Sequence, residues 1–184
     1  MPVLAENART SITRSFRFET DVSKVLDEEA DRMGVSVNAL VGIVLRRYAE
    51  FARYLSKIDM VVINREVLTS LIEKLDENEL YDMGLKLGET MLSDTVIFWK
   101  KEVTECTVME YIEKVICRYG HLGTYDEKRI TGGGVTIVVR HRLGKKGSLF
   151  LEGYLQAGLK TTLGMNAAFE VTDSSIKCEL PGKT

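Results

Sequence analysis

The chain opens with alternating apolar and polar side chains. Phe16 and Phe18 fall on one side of an extended segment, Ser15 and Arg17 on the other, which predicts a short strand over 12–18. Thr20 and Asp21 then make a good N-cap pair ahead of Val22, Val25, Leu26, Ala30 and Met33, which follow helical spacing. Gly34 ends that helix as a C′ glycine would, and Ser36 opens a second helix from Val37 to about Lys57. Between Val37 and Leu45 the apolar residues of this second helix point in nearly every direction, whereas a helix covering one neighbour needs a stripe of about 100°. It must therefore be buried on several sides. A unit this short cannot supply that cover from its own chain, so an intertwined homodimer is expected, with the lone strand pairing with its copy in a second subunit.

From Asp59 the pattern changes. Asn64 can cap a helix carrying Val67, Leu68, Leu71 and Ile72, Asn78 begins another with Leu80, Met83, Leu87 and Met91, and Thr107 a third that runs towards Gly120. A hairpin follows: residues 123–130, a Thr131-Gly132-Gly133-Gly134 turn, and the β-branched run Val135–Val139. Ser148 is expected to cap a helix reaching Leu163, and strands over 167–172 and 175–180 close the chain. The fold class is α+β: an arm over 1–11, a strand-helix-helix unit over 12–58 and an α-α-α-β-β-α-β-β domain over 59–184.

The strand, the helix, the Gly34-Val35-Ser36-Val37-Asn38 turn and the apolar Leu40, Ile43, Val44 and Tyr48 resemble the ribbon-helix-helix fold of Arc, MetJ and CopG-type repressors. The resemblance covers residues 12 to about 56. It implies a homodimer in which two strands form an antiparallel ribbon that enters the major groove of double-stranded DNA. With both phenylalanines turned to the helices, Thr13, Ser15 and Arg17 share the outer face and can meet base edges. A guanidinium can bond two acceptors of one guanine, so Arg17 is the chief candidate for base reading. Ser36 and the free amides of Val37 and Asn38 stand at a helix start, which favours a phosphate. Arg14 departs from the family pattern, since alternation would turn it inward; at the start of the strand it is expected to reach a phosphate.

Charge and composition qualify this picture. The 184 residues carry a net charge of −2, which at first argues against nucleic acid. The total hides a split: residues 1–58 sum to +1 with Arg9, Arg14 and Arg17 ahead of any acid in the strand, and residues 59–184 to −3. No apolar run is long enough for a spanning helix, the start lacks a hydrophobic signal core, and three widely spaced cysteines favour a reducing compartment. These features point to a cytoplasmic protein.

No catalytic constellation is legible, so an enzyme is not expected, and no cofactor is implied. Gly132-Gly133-Gly134 precedes a strand and reads as a hairpin turn, and Gly144-Lys145-Lys146-Gly147 as a solvated turn with some capacity for an anion. Arg140, Arg142, Lys145 and Lys146 form a basic cluster that could touch DNA flanks or an anionic effector. For a metal, His121, His141 and Cys178 are the candidates, but no Cys-x-x-Cys or His-x-x-x-His pair occurs. Buried cysteines acting as small hydrophobes are favoured over a metal site.

About 40 residues, His141–Gly144, Ser148–Tyr154 and the strands ending at Cys178, are faintly similar to α+β sensor domains of the 4-vinyl-reductase type. That similarity implies a small-molecule or protein-binding sensor, with a pocket between the Gly153–Leu163 helix and the helices before it. The sequence thus predicts a DNA-binding transcriptional regulator, a repressor by resemblance, with a C-terminal sensor or oligomerisation domain. The alternative is an antitoxin-like interaction module that uses the same unit for dimerisation, against which the long patterned C-terminal domain argues.

Overall fold

In a computed structural model, residues 12–55, 57, 61–130 and 133–182 are described. The arm over 1–11, the turn residues Thr131 and Gly132 and the expected boundary at 58–59 lie outside them. The fold is α+β, with a four-stranded antiparallel sheet. The chain divides into two compact units, Met1–Tyr48 and Ala49–Thr184.

In the first unit, α1 (Thr20–Met33) and α2 (Val37–Arg47) are joined at Gly34, whose φ of 66° is one that a β-carbon disfavours. The Gly34 amide bonds Asp31 O and the Val35 amide Ala30 O, which closes the last turn of α1. Ser36 Oγ accepts the Ala39 amide at 3.2 Å and caps α2. The expected cap at Thr20 and Asp21 is corrected. Glu19 is the N-cap residue and makes no side-chain cap bond, while Thr20 is already helical and Asp21 lies in the first turn, where the helix dipole favours its charge.

The predicted strand over 12–18 does not form within one chain. Residues 12–19 carry no regular secondary structure, because a strand needs a ladder partner and the described residues of this unit offer none. Phe16 and Phe18 nonetheless lie on one side, their rings stacked with centroids 6.4 Å apart.

The long second helix is also corrected. After α2 the backbone passes through a π-helical turn, Tyr48–Ala52, into the short α3, Arg53–Leu55. Residues beyond Tyr48 serve the second unit. Phe51 stacks on Tyr119, Trp99 Nε1 donates to Glu50 O at 2.8 Å, and the Tyr119 hydroxyl donates to the Glu50 carboxylate. The break therefore falls inside this helical stretch and not after it.

The second unit contains α4 (Arg65–Ile72), α5 (Glu77–Lys100), α6 (Glu105–Glu110) with its π-helical continuation Tyr111–Tyr119, β1 (Gly123–Arg129), β2 (Val135–His141), α7 (Gly144–Leu163), β3 (Ala168–Val171) and β4 (Ser175–Leu180). This is the order read from the sequence. Cap positions are refined. Asn64 caps α4 as expected, but α5 starts from a capping box of Asp76 and Glu79, and α6 from one of Thr104 and Thr107.

The sheet order is β1-β2-β4-β3. Val135, Ile137 and Val139 of β2 and Cys178 and Leu180 of β4 share one core with Leu92, Val96, Ile112, Leu155 and Leu159, and Ile176 of β4 is buried as well. The pairing sets Ile137 opposite Cys178 and Val139 opposite Ile176.

Helices α5 and α7 meet along glycines. A β-carbon at Gly84 would lie 2.2 Å from Phe150 O, one at Gly88 2.2 Å from Tyr154 O, and one at Gly153 2.3 Å from Tyr81 O. The contact is backbone on backbone, so the cavity expected between these helices is closed along most of their seam. A groove of about 370 Å³ remains at its edge, between Leu85 and Glu89 on one side and Gln156, Lys160 and Thr161 on the other.

Candidate nucleic-acid interface

Thr13, Arg14, Ser15 and Arg17 all stand exposed in the segment ahead of α1. Ser36 and Asn38 are exposed and Val37 half-buried at the start of α2. The Ser36 hydroxyl oxygen is occupied as acceptor by Ala39 N–H, and among the described residues its own proton has no acceptor. First-turn amides such as those of Val37 and Asn38 have no acceptor within the helix, so they are available to an external anion.

The apolar surface beneath these groups is uncovered in one chain. Of the residues read as a buried face, Leu40 is 5% exposed, while Ile43, Val44 and Tyr48 are 49%, 51% and 60% exposed; Phe16 is 58% exposed. Their burial is expected from a second subunit, and among the described residues of the single chain these side chains stand open. Apart from Leu40, Ala30 is the buried apolar residue among the described residues of this unit.

The second unit settles the chemistry of the remaining candidates. His141 is buried at the end of β2, and its two ring nitrogens are both engaged. Nδ1 accepts the Leu143 amide at 3.2 Å, which places the proton on Nε2; Nε2 then donates to Ser148 Oγ at 2.9 Å, and Ser148 donates to Thr172 O at 2.6 Å. Ser148 is accordingly not the helix cap expected of it. Helix α7 begins earlier, at Gly144, because Gly144-Lys145-Lys146-Gly147 forms its first turn and not a solvated loop, and Ser148 joins the helix to β2 and to the β3–β4 turn. With its proton directed to a carbonyl, Ser148 is not a nucleophile activated by His141.

Desolvation holds the His141 pKa below its ordinary 6.5. The unfolded chain would bind a proton near 6.5 that the folded one refuses, so this contribution to stability is complete above pH 6.5 and is lost as the pH falls below it. The melting temperature of the second unit is expected to decline between about pH 6.5 and 5, with a shallower decline in His141→Gln, as read by calorimetry across that range.

The metal candidates do not come together. His141 has no free lone pair, His121 is exposed, and Cys178 is buried in the core with burial pushing its thiol up to about 12. Among the described residues no group of three or more His, Cys, Asp or Glu is placed to hold a metal ion.

The basic cluster separates into two functions. Lys145 pairs with Glu77 at 3.0 Å, and Lys146 donates to Glu73 O and Leu75 O, so both lysines tie α7 to the α4–α5 connection. Arg140 and Arg142 instead line a pocket together with Arg65 and Arg118. Those last two were not recognisable as partners in the sequence, where they stand far from the cluster. Arg65 directly after the Asn64 cap was the one local sign of an outward-facing cation. No helix among the described residues is long and apolar enough to cross a membrane.

The chain matches no protein-family model, and a search of curated proteins finds no match either.

Proposed function

We propose that the protein is a homodimeric, sequence-specific DNA-binding transcriptional regulator acting in the cytoplasm. Its residues 12–18 would pair with their copy in a second chain to form a ribbon-helix-helix reader, and its second unit would serve as a sensor or oligomerisation domain. One observation carries this reading. The first unit sets an exposed Thr13-Arg14-Ser15-Arg17 segment directly ahead of two helices whose apolar side chains are uncovered in one chain. Pairing through those phenylalanines and α2 would bury them and set Thr13, Ser15 and Arg17 on a two-stranded outer face, the form in which β-ribbons read the major groove.

Arg17 would read a guanine, Thr13 and Ser15 would add less selective contacts, and Arg14 with Ser36, Val37 and Asn38 would hold phosphates and set the register. Repression follows from occupancy of a site that a polymerase needs.

The experiment is selection of bound duplexes from a random library, followed by gel-shift titration of the winning site. Arg17→Ala is expected to weaken specific binding by about 1–3 kcal/mol and to flatten the preference at one base position. Ser36→Ala should weaken all sequences alike, since a phosphate contact carries no base information. Failure of the wild-type chain to enrich any sequence, or an Arg17→Ala chain with unchanged preference, would overturn the assignment.

A further inference from the structure

Four arginines from three stretches of chain line one pocket where β2 leaves the sheet. A pocket of about 530 Å³ is lined by Arg65 of α4, by Arg118 and His121 around the end of the π-helical segment, and by Arg140 and Arg142. A neighbouring groove of about 970 Å³ shares Arg65 and Arg142 and runs along α4 past Asn64, Thr69, Ser70 and Lys74, with Glu66 and Glu73 also on its wall.

The charges of this pocket are only half compensated. Arg118 pairs with Glu113 at 2.9 Å and Arg140 with Asp126. Arg65 donates to the His121 carbonyl at 2.6 Å, a neutral acceptor that fixes its position without cancelling its charge. His121 turns that carbonyl inward from a left-handed backbone at φ 52°. Among the described residues Arg142 has no ion pair. Two uncancelled positive charges, one of them held in place, therefore face one concavity.

We propose that this pocket binds the phosphate group of a small phosphorylated molecule, with Arg65 and Arg142 as its principal donors and the rest of the ligand along α4. The guanidinium fork matches phosphate oxygens bidentately, and the charge left by the two ion pairs suits a phosphate dianion. The size of the two open concavities favours a small ligand over a nucleic-acid backbone. The two spaces fall within the roughly 300–1,000 Å³ typical of small-molecule sites, whereas a duplex backbone is met by a strip of cations along an open surface.

The pocket binds and does not react. Cys117 on its wall is held as a thiol, its pKa pushed up to about 12 by burial and then by the Glu113 charge, and the His141 imidazole is held neutral between Leu143 and Ser148. Neither adds a negative charge that would oppose a phosphate. The inference stands apart from DNA binding, since every residue it uses belongs to the second unit.

The test is calorimetric titration of the full chain with inorganic phosphate, pyrophosphate and ATP in separate arms, without divalent metal, and with succinate as a dicarboxylate arm. Saturable binding of pyrophosphate or ATP is expected, weaker for phosphate. Preference for ATP places an organic portion in the α4 groove, and equal affinity for pyrophosphate assigns the site to the phosphates alone. Arg142→Gln should weaken binding about ten- to hundredfold, the loss of a charge-assisted bond. Lys128→Gln, the same change of charge on the exposed part of β1, should alter it by less than about twofold because screening removes distant charges. Arg142 is exposed and has no ion pair among the described residues, so its replacement leaves folding intact, which a melting curve verifies. The proposal fails if none of the three phosphates saturates, if succinate binds as tightly, or if Lys128→Gln weakens binding as much. It also fails if Arg142→Gln weakens only duplex DNA.

Discussion

Gly88→Ala is expected to destabilise the second unit by about 3 kcal/mol, the upper end for overpacking. The added carbon would sit 2.2 Å from Tyr154 O, 2.9 Å from Tyr154 C and 3.0 Å from its Cα. These are backbone atoms in the interior of α7, so no rotamer change can relieve the clash. Relief would require α5 and α7 to separate. That movement would loosen the neighbouring contacts at Gly84 and Gly153 and pull Leu92, which meets Gly158, out of the core. Gly84 and Gly88 are four residues apart on one helix face, which is why the two act as a single seam. Urea unfolding of the second unit is the measurement. Lys86→Ala, exposed on the same helix, is the control and should stay within about 0.5 kcal/mol of the parent. A Gly88→Ala chain as stable as the control would show that the helices are not in backbone contact.

The glycines also show what the sequence could and could not convey. Gly153 and Gly158 inside a helical pattern fit either close packing or room for a ligand, and periodicity alone cannot choose between them. The choice depends on which residues of α5 lie opposite, a long-range fact. The element order of the second unit was legible because Val135–Val139 is β-branched and the helices carry clear apolar spacing. The start of α7 was misplaced because Ser148 has the chemistry of a cap. Its partners, His141 and the Thr172 carbonyl, meet it only in the folded sheet.

The strand over 12–18 illustrates a different limit. Its alternation is visible in the sequence, and Phe16 and Phe18 do share a side, but pairing is a property of two strands and one chain supplies a single copy of this segment. The four-arginine pocket was half visible. Arg140 and Arg142 stood in an evident cluster, but the lysines beside them turned out to be bound to α4–α5, and Arg65 and Arg118 reach the site from elsewhere in the chain. Local charge density marked the region without distinguishing tethered cations from uncompensated ones.

Val44→Asp is expected to weaken dimerisation at least a hundredfold, because each 1.4 kcal/mol is a factor of ten and an unpaired carboxylate buried in an apolar interface costs several kcal/mol. Val44 is 51% exposed in one chain, with Ile43 and Leu45 beside it nearly as open. Three successive apolar side chains on a helix cannot all face the same neighbour, so α1 alone could never cover them. A second copy of α2 approaching from the far side would do so. The substitution therefore tests the cover itself: in the isolated chain the introduced carboxylate would be half-solvated and harmless. Sedimentation equilibrium should report a monomer at concentrations where the parent is dimeric. Specific DNA binding should fall in parallel, since a ribbon of two strands cannot form without the second chain. The second unit should keep its melting temperature, because its core runs from Phe51 onward and does not include Val44. If the dimer persisted but DNA binding vanished, association would have to lie in the second unit. If both persisted, α2 would not be the interface and the uncovered face of the first unit would need another occupant.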